Sequence, residues 1–299
     1  MSVFQAIILG VLQGIAEFLP ISSSGHLAVA QKLFGLSDVP LLFDVMLHLA
    51  TLAAVILYFR KKIARLFVIL FRWILPKGKA FPSLQTQAFS ATPSPKGHSP
   101  LKSPEADLLT GNDELGRKTI LAVIFATVVT GAMGIVTSKM IPEIPIKVTC
   151  AGFLFTACLL IFSSLWAKKH DRPLEAKGIS IRQSLFIGFM QGIGTLPGVS
   201  RSGSTIAGAQ LAGVNRAAAG EFSFIVSIPA ILGAFVLEAK DLGEVGSQIG
   251  VLPVLCGCLA SFAWGYLSLS ILMKLIRKGK LEWFACYLIP LGILGLIFF

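Results

Sequence analysis

The 299-residue chain is 55% hydrophobic and only 14% charged, with a formal charge of +11 and a mean hydropathy of +0.79. That composition excludes an ordinary water-soluble domain. The positive charge does not point to nucleic acid as a partner, because Lys and Arg sit mainly at the ends of apolar runs, as they do in membrane proteins.

The first run, Val3 to Phe18, reads as an apolar helix that Pro20 and the triplet Ser22-Ser23-Ser24 break. It lacks a basic leader and a small-residue cleavage site, so Met1 to Pro20 is expected to stay in the protein. The apolar piece that follows, Leu27 to Gly35, is shorter than the roughly 17–25 residues a crossing needs. Two half-length helices around a polar turn describe a re-entrant hairpin, which lipid tolerates only where protein or water lines it. Full spans are expected at Leu41–Phe59, Thr119–Ser138 and Lys147–Trp166. The segment from Pro76 to Lys118 is rich in Pro, Ser, Lys and Thr and reads as a flexible cytoplasmic insertion. A second broken stretch, Ser184–Val214, repeats the hairpin, and three more spans are expected at Phe222–Ala239, Gly250–Ile276 and Trp283–Phe299. The five cysteines lie in or beside apolar runs without metal-ligand context and read as small buried residues.

The two polar breaks are copies of one another. Gln13-Gly14-Ile15 matches Gln191-Gly192-Ile193, Leu19-Pro20 matches Leu196-Pro197, and Ser24-Gly25 matches Ser202-Gly203. The chain therefore divides into a first unit, 1–170, carrying the insertion 76–118, and a second unit, 178–299. Each is a hairpin plus three crossings, and an odd number of crossings inverts the second unit relative to the first. The charges agree. Arg60, Lys61, Lys62 and Arg65, then Lys168, Lys169, Arg172, Lys177 and Arg182, then Lys274, Arg277, Lys278 and Lys280 all fall on one side, while the alternate connections are short and poor in basic residues. The expected fold is an all-α polytopic membrane protein with an inverted-topology repeat, six full spans and two re-entrant hairpins.

Ionisable groups at membrane depth are costly and mark function. Here they concentrate in the two turns: Glu17 and His26 in the first, Arg201 in the second. The chemistry that suits them is anion handling. Arg201 offers a planar fork for phosphate oxygens; Ser22, Ser23, Ser24, Ser200, Ser202 and Thr205 offer hydroxyls. Gly25 and Gly203 open helix N-termini whose amides can take phosphate, and Gly198 permits a close backbone approach to a ligand. Gln13 and Glu17 share a helix face and together suit a hard divalent cation. His26, three residues after Ser23, is placed to activate a hydroxyl or a water, or to protonate a leaving phosphate. Asp44, His48 and Glu221 read as helix caps or cavity supports.

The stretches LGVLQGIAEFLPISSSGH and LPGVSRSGST resemble the two signature regions of the undecaprenyl-diphosphate phosphatase family, the bacitracin-resistance type. FDVMLHLAT and EFSF add to the likeness, which covers nearly the whole chain outside the insertion. The resemblance implies hydrolysis of a C55 polyprenyl diphosphate to the monophosphate and inorganic phosphate, recycling the lipid carrier of cell-wall synthesis. It also implies a divalent cation such as Mg²⁺ or Ca²⁺, membrane-lipid surroundings, competition with bacitracin for the substrate, and a homodimer in the bacterial cytoplasmic membrane with a site open to the periplasm. Of the family's paired acidic positions, Gln13 is the neutral form here, which weakens a cation site. The rival reading is a polyprenyl-phosphate flippase or anion-coupled secondary transporter, since inverted repeats with broken helices serve those functions too.

Overall fold

The computed structural model describes residues 1–36, 41–75, 109–140, 145–170, 178–238 and 249–298, and among them the regular elements are helical. In order they are α1 (Val3–Phe18), α2 (Ser23–Leu33), α3 (Leu41–Tyr58), α4 (Arg60–Ile74), α5 (Asp113–Met140), α6 (Ile146–Lys169), α7 (Ile181–Ile193), α8 (Arg201–Leu211), α9 (Arg216–Glu238), α10 (Val251–Arg277), a 3₁₀ turn (Leu281–Phe284) and α11 (Ala285–Phe298). Five stretches are long and apolar enough to cross a bilayer: Asp113–Thr137, Ile146–Lys169, Arg216–Val236, Val251–Arg277 and Leu281–Phe298. The pair α3–α4 supplies a sixth apolar stretch, broken by an 80° bend. The protein is an all-α polytopic membrane protein.

Both expected hairpins contain two short helices. The first is α1–α2, broken at Leu19–Ser22, and the second is α7–α8, broken at Gly194–Ser200. The duplication extends to their caps. Ser2 and Gln5 form a reciprocal capping box at the start of α1, and Ser180 and Gln183 form the same box at the start of α7, so each helix begins by satisfying its own free amides.

Helix packing exchanges partners between the copies. α1 lies against α10 so closely that a Cβ at Gly10 would sit 2.2 Å from the Gly257 carbonyl oxygen. α7 lies against α5 in the same way, and a Cβ at Gly188 would sit 2.6 Å from the Ala126 carbonyl oxygen. Hydroxyls bind each seam: Ser268 donates to the Gly14 carbonyl at 2.7 Å and Thr130 to the Gly188 carbonyl at 3.0 Å. Glycine is needed at these positions because small residues let membrane helices approach backbone to backbone. The broken helices meet in the core, where Phe18 of α1 and Ile206 of α8 share a buried cluster with Phe224, Leu269 and Leu272.

Two boundaries move. Residues 76–108 of the expected insertion lie outside the described residues, but its last part is ordered helix. Leu109 and Thr110 are fully buried, and α5 starts at Asp113, with Asn112 accepting from the Leu115 amide as its cap. The helix α4 was not expected from the sequence; its Ile69 packs against Gly116 of α5.

Candidate active site

The site is built where two helices begin. Ser23 is the first residue of α2 and Arg201 the first of α8, and both reach back to Glu17, next to the last residue of α1. Arg201 forms an ion pair with one Glu17 carboxylate oxygen. The other oxygen accepts from the Ser23 hydroxyl at 2.6 Å and from the Gln13 amide at 3.0 Å. Glu17 is 8% exposed, so its charge is held by these side-chain donors, not by water.

His48 of α3 completes this shell and was read from the sequence only as a support. Its Nε2 lies 3.4 Å from Glu17. The Asp44 carbonyl, 2.7 Å from His48 Nδ1, can only accept, so Nδ1 carries a proton, and Nε2 is the ring atom nearest the carboxylate. Asp44 itself takes a hydrogen bond from Gln31 at 2.9 Å. Glu221 stays structural, pairing with Lys62 and standing 3.8 Å from Arg277.

His26 is oriented differently from the expected role. Its Nδ1 donates to the Ser22 carbonyl at 2.7 Å, and its Nε2 then accepts from the Tyr287 hydroxyl at 2.8 Å. Phe153 and Tyr287 flank the ring. The group in contact with the Ser23 hydroxyl is Glu17. Tyr287 sits in a run that reads as a plain apolar span, and nothing in its pattern singles it out.

Several expected phosphate ligands have other duties. Ser22 caps α2 by accepting from the Gly25 amide, and Ser200 caps α8 by accepting from the Gly203 amide at 3.1 Å. Both glycine amides are therefore taken by these caps. Thr205 donates to the Arg201 carbonyl at 2.7 Å. Ser202 lies 3.2 Å from Ser200, hydroxyl to hydroxyl. Ser24 is exposed. Gly198 makes its close approach to α6, not to a ligand: at φ +78°, a Cβ there would lie 1.9 Å from the Thr149 carbonyl oxygen.

A narrow cleft lies beside the Glu17–Arg201 pair. Its walls include Gln191, Ser202 and Thr205, together with Ser223 and Ser227 of α9, two hydroxyl residues the sequence reading passed over. They fall one turn apart on a span, where Ser is read as helix packing by default.

For a cation, the described residues offer the Glu17 carboxylate and two orphaned amide oxygens: Gln13 and Gln191 are fully buried and the Oε1 of each has no hydrogen-bond partner among the described residues. No group of three His, Cys, Asp or Glu side chains placed to hold a metal occurs among the described residues. This donor set is short of a complete cage. It suits a hard cation that keeps water and takes further oxygens from a bound phosphate.

Sequence comparison places this geometry among known proteins. The profile of the family described as Bacitracin resistance protein BacA matches residues 6–294. A Treponema denticola protein named undecaprenyl-diphosphatase is 44% identical over 293 residues, covering 98% of this chain and 96% of that protein. Proteins of the same name from Methanobrevibacter smithii and Carboxydothermus hydrogenoformans are each 34% identical, with 98% and 99% of this chain covered and 96% and 97% of theirs. With its two signature turns joined at Glu17 and Arg201, and matched along nearly its whole length, the chain belongs to the bacitracin resistance protein BacA family.

Proposed function

We propose that this protein hydrolyses undecaprenyl diphosphate to undecaprenyl phosphate and inorganic phosphate, acting in the bacterial cytoplasmic membrane from a site open to the periplasm. The observation that carries the reading is the buried Glu17 carboxylate holding Arg201 and the Ser23 hydroxyl from two different hairpins. The relatives' shared name supplies the substrate. The exchanged packing of α1 on α10 and α7 on α5, together with the one-sided basic loops, supports hairpins that enter from opposite leaflets.

In the resting site Arg201 is neutralised by Glu17. An arriving diphosphate competes for the guanidinium, which suits two phosphate oxygens at once. As Arg201 turns to the phosphate, Glu17 is freed to accept the Ser23 proton it already contacts. Ser23 Oγ then bonds the terminal phosphorus and the bond to the bridging oxygen breaks. Undecaprenyl phosphate leaves, and water hydrolyses the phosphoserine to inorganic phosphate and Ser23. Both ring nitrogens of His26 are engaged, by the Ser22 carbonyl and the Tyr287 hydroxyl, so a proton it exchanges with that water passes through the Tyr287 hydroxyl. The amides opening α2 and α8 stabilise the charge on the phosphoryl oxygens. A divalent cation, held by Glu17 and Gln13 and completed by substrate oxygens, would supply further neutralisation of the diphosphate. By removing the diphosphate, the reaction competes with bacitracin for it.

The test is phosphate release from a polyprenyl diphosphate by the purified protein in detergent. Release by the wild type and its loss in Arg201→Ala are expected. Hydrolysis needs no second compartment, so an intact preparation that releases no phosphate would return the protein to the transporter class.

A further inference from the structure

Helix α4 has its charges on the wrong side for a helix facing water. Lys62, Arg65 and Arg72 turn toward the protein: Lys62 pairs with Glu221, Arg65 donates to the Gly111 carbonyl at 2.9 Å, and Arg72 stands 3.8 Å from Asp113. Between them Ile69 is buried at 2% exposure. The outward stripe is apolar. Phe67, Phe71 and Ile74 recur at helical spacing and are 55%, 57% and 69% exposed, with Trp73 beside them. A helix on an aqueous surface shows the reverse arrangement.

Just before the bend, Ile56 and Leu57 of α3 are also exposed, at 42% each. The 80° turn between α3 and α4 sets α4 across the direction of the span. Arg60 and Lys61, both exposed, stand at that turn.

We propose that α4 is a monotopic helix lying flat in one bilayer leaflet, on the side of the basic loops. Its Phe67–Phe71–Ile74 stripe is immersed among acyl chains, and Arg60 and Lys61 rest on lipid headgroup phosphates. Its occupant is the bilayer itself. The arrangement fastens the segment after α3 to the membrane plane, and Lys62 carries that attachment to Glu221 on α9, the helix that lines the cleft.

The test places a spin label at Phe67→Cys, Phe71→Cys and Ile74→Cys, one at a time, in full-length protein whose native cysteines are replaced. The protein is reconstituted in phosphatidylcholine–phosphatidylglycerol vesicles, and collision with oxygen is compared with collision with a water-soluble nickel chelate. All three positions should favour oxygen at nearly equal depths. Because a helix rises 1.5 Å per residue, α4 running along the membrane normal would instead separate positions 67 and 74 by about 10 Å, which would overturn the proposal. Preference for the nickel chelate would overturn it as well, as would shielding from both reagents, the sign of a second protein chain on this face. Quenching by brominated lipid of the Trp73 fluorescence, taken as the difference between wild type and Trp73→Phe, checks the same point with the native cysteines in place. Absence of quenching would count against immersion.

Discussion

Arg201 and Glu17 are 184 positions apart and form an ion pair inside the membrane protein's core. Glu17 belongs to the broken pair α1–α2 and Arg201 to the broken pair α7–α8, so the site exists only where the two pairs meet. Removing the Arg201 side chain should lower turnover by on the order of 10³–10⁵, the range for an arginine that stabilises phosphoryl transfer. Arg201→Lys should restore little of it, because an ammonium lacks the guanidinium fork. Glu17→Gln should also be severe, and the double variant Glu17→Gln/Arg201→Ala should be far less impaired than the product of the two single losses, since groups acting as one unit are not additive. Phosphate-release rates of wild type, Arg201→Ala, Glu17→Gln and the double variant decide it, and fully multiplicative losses would mean that the two residues act independently.

The Ser23 hydroxyl donates to Glu17 at 2.6 Å, the geometry of a nucleophile beside its base. Acid-quenching the working enzyme with substrate labelled in the terminal phosphate should leave label on a peptide containing Ser23, and Ser23→Ala should release almost no phosphate. Wild-type turnover by Ser23→Ala would assign the attack to water instead. Tyr287→Phe tests the other half of the assignment. It removes the hydroxyl that Nε2 of His26 accepts from, so it should alter the pH profile of turnover more than substrate affinity.

The meeting of Glu17 with Arg201 was legible in the sequence because a buried carboxylate and a buried guanidinium must find partners, and the matched Gln-Gly-Ile and Ser-Gly words placed them in equivalent turns. The spans were legible from length and hydropathy. Helix α4 was not, because Lys62 and Arg65 read with Arg60 and Lys61 as a cytoplasmic charge cluster until their inward partners are seen. Nor could the serine-rich turns declare which hydroxyl caps a helix and which faces a substrate. Ser22 and Ser200 turn out to be caps, and Ser23 reaches the carboxylate. His48 lies on a span at no distinctive spacing from Glu17, so only the packing of α3 against α1 brings it within 3.4 Å.

Two glycines separate backbone strain from steric exclusion. Gly35 and Gly198 both have positive φ, +65° and +78°, but a Cβ at Gly35 meets nothing within 4 Å whereas one at Gly198 would lie 1.9 Å from the Thr149 carbonyl oxygen. Gly35→Ala should therefore cost only the left-handed backbone penalty, about 1–2 kcal/mol, with activity retained. Gly198→Ala should push the second turn off α6, displacing Arg201 and removing both thermal stability and turnover. Thermal unfolding in detergent compares the two, and equal midpoints would show that the turn has room to shift.

Gln13 stands where a second carboxylate would complete a cation site beside Glu17, and its buried Oε1 has no partner among the described residues. If a divalent cation works there, a chelator should abolish phosphate release and Mg²⁺ or Ca²⁺ should restore it. Gln13→Glu should then lower the free cation concentration needed for half-maximal activity by several-fold, since an added carboxylate raises the affinity of an oxygen-ligand site. Without cation the same variant should be less stable than wild type, because two buried carboxylates would face one another. Cation titrations of turnover, paired with thermal unfolding at each concentration, read both effects. An unchanged half-maximal concentration together with unchanged stability would place the cation away from Gln13 and Glu17, on the substrate's phosphates alone.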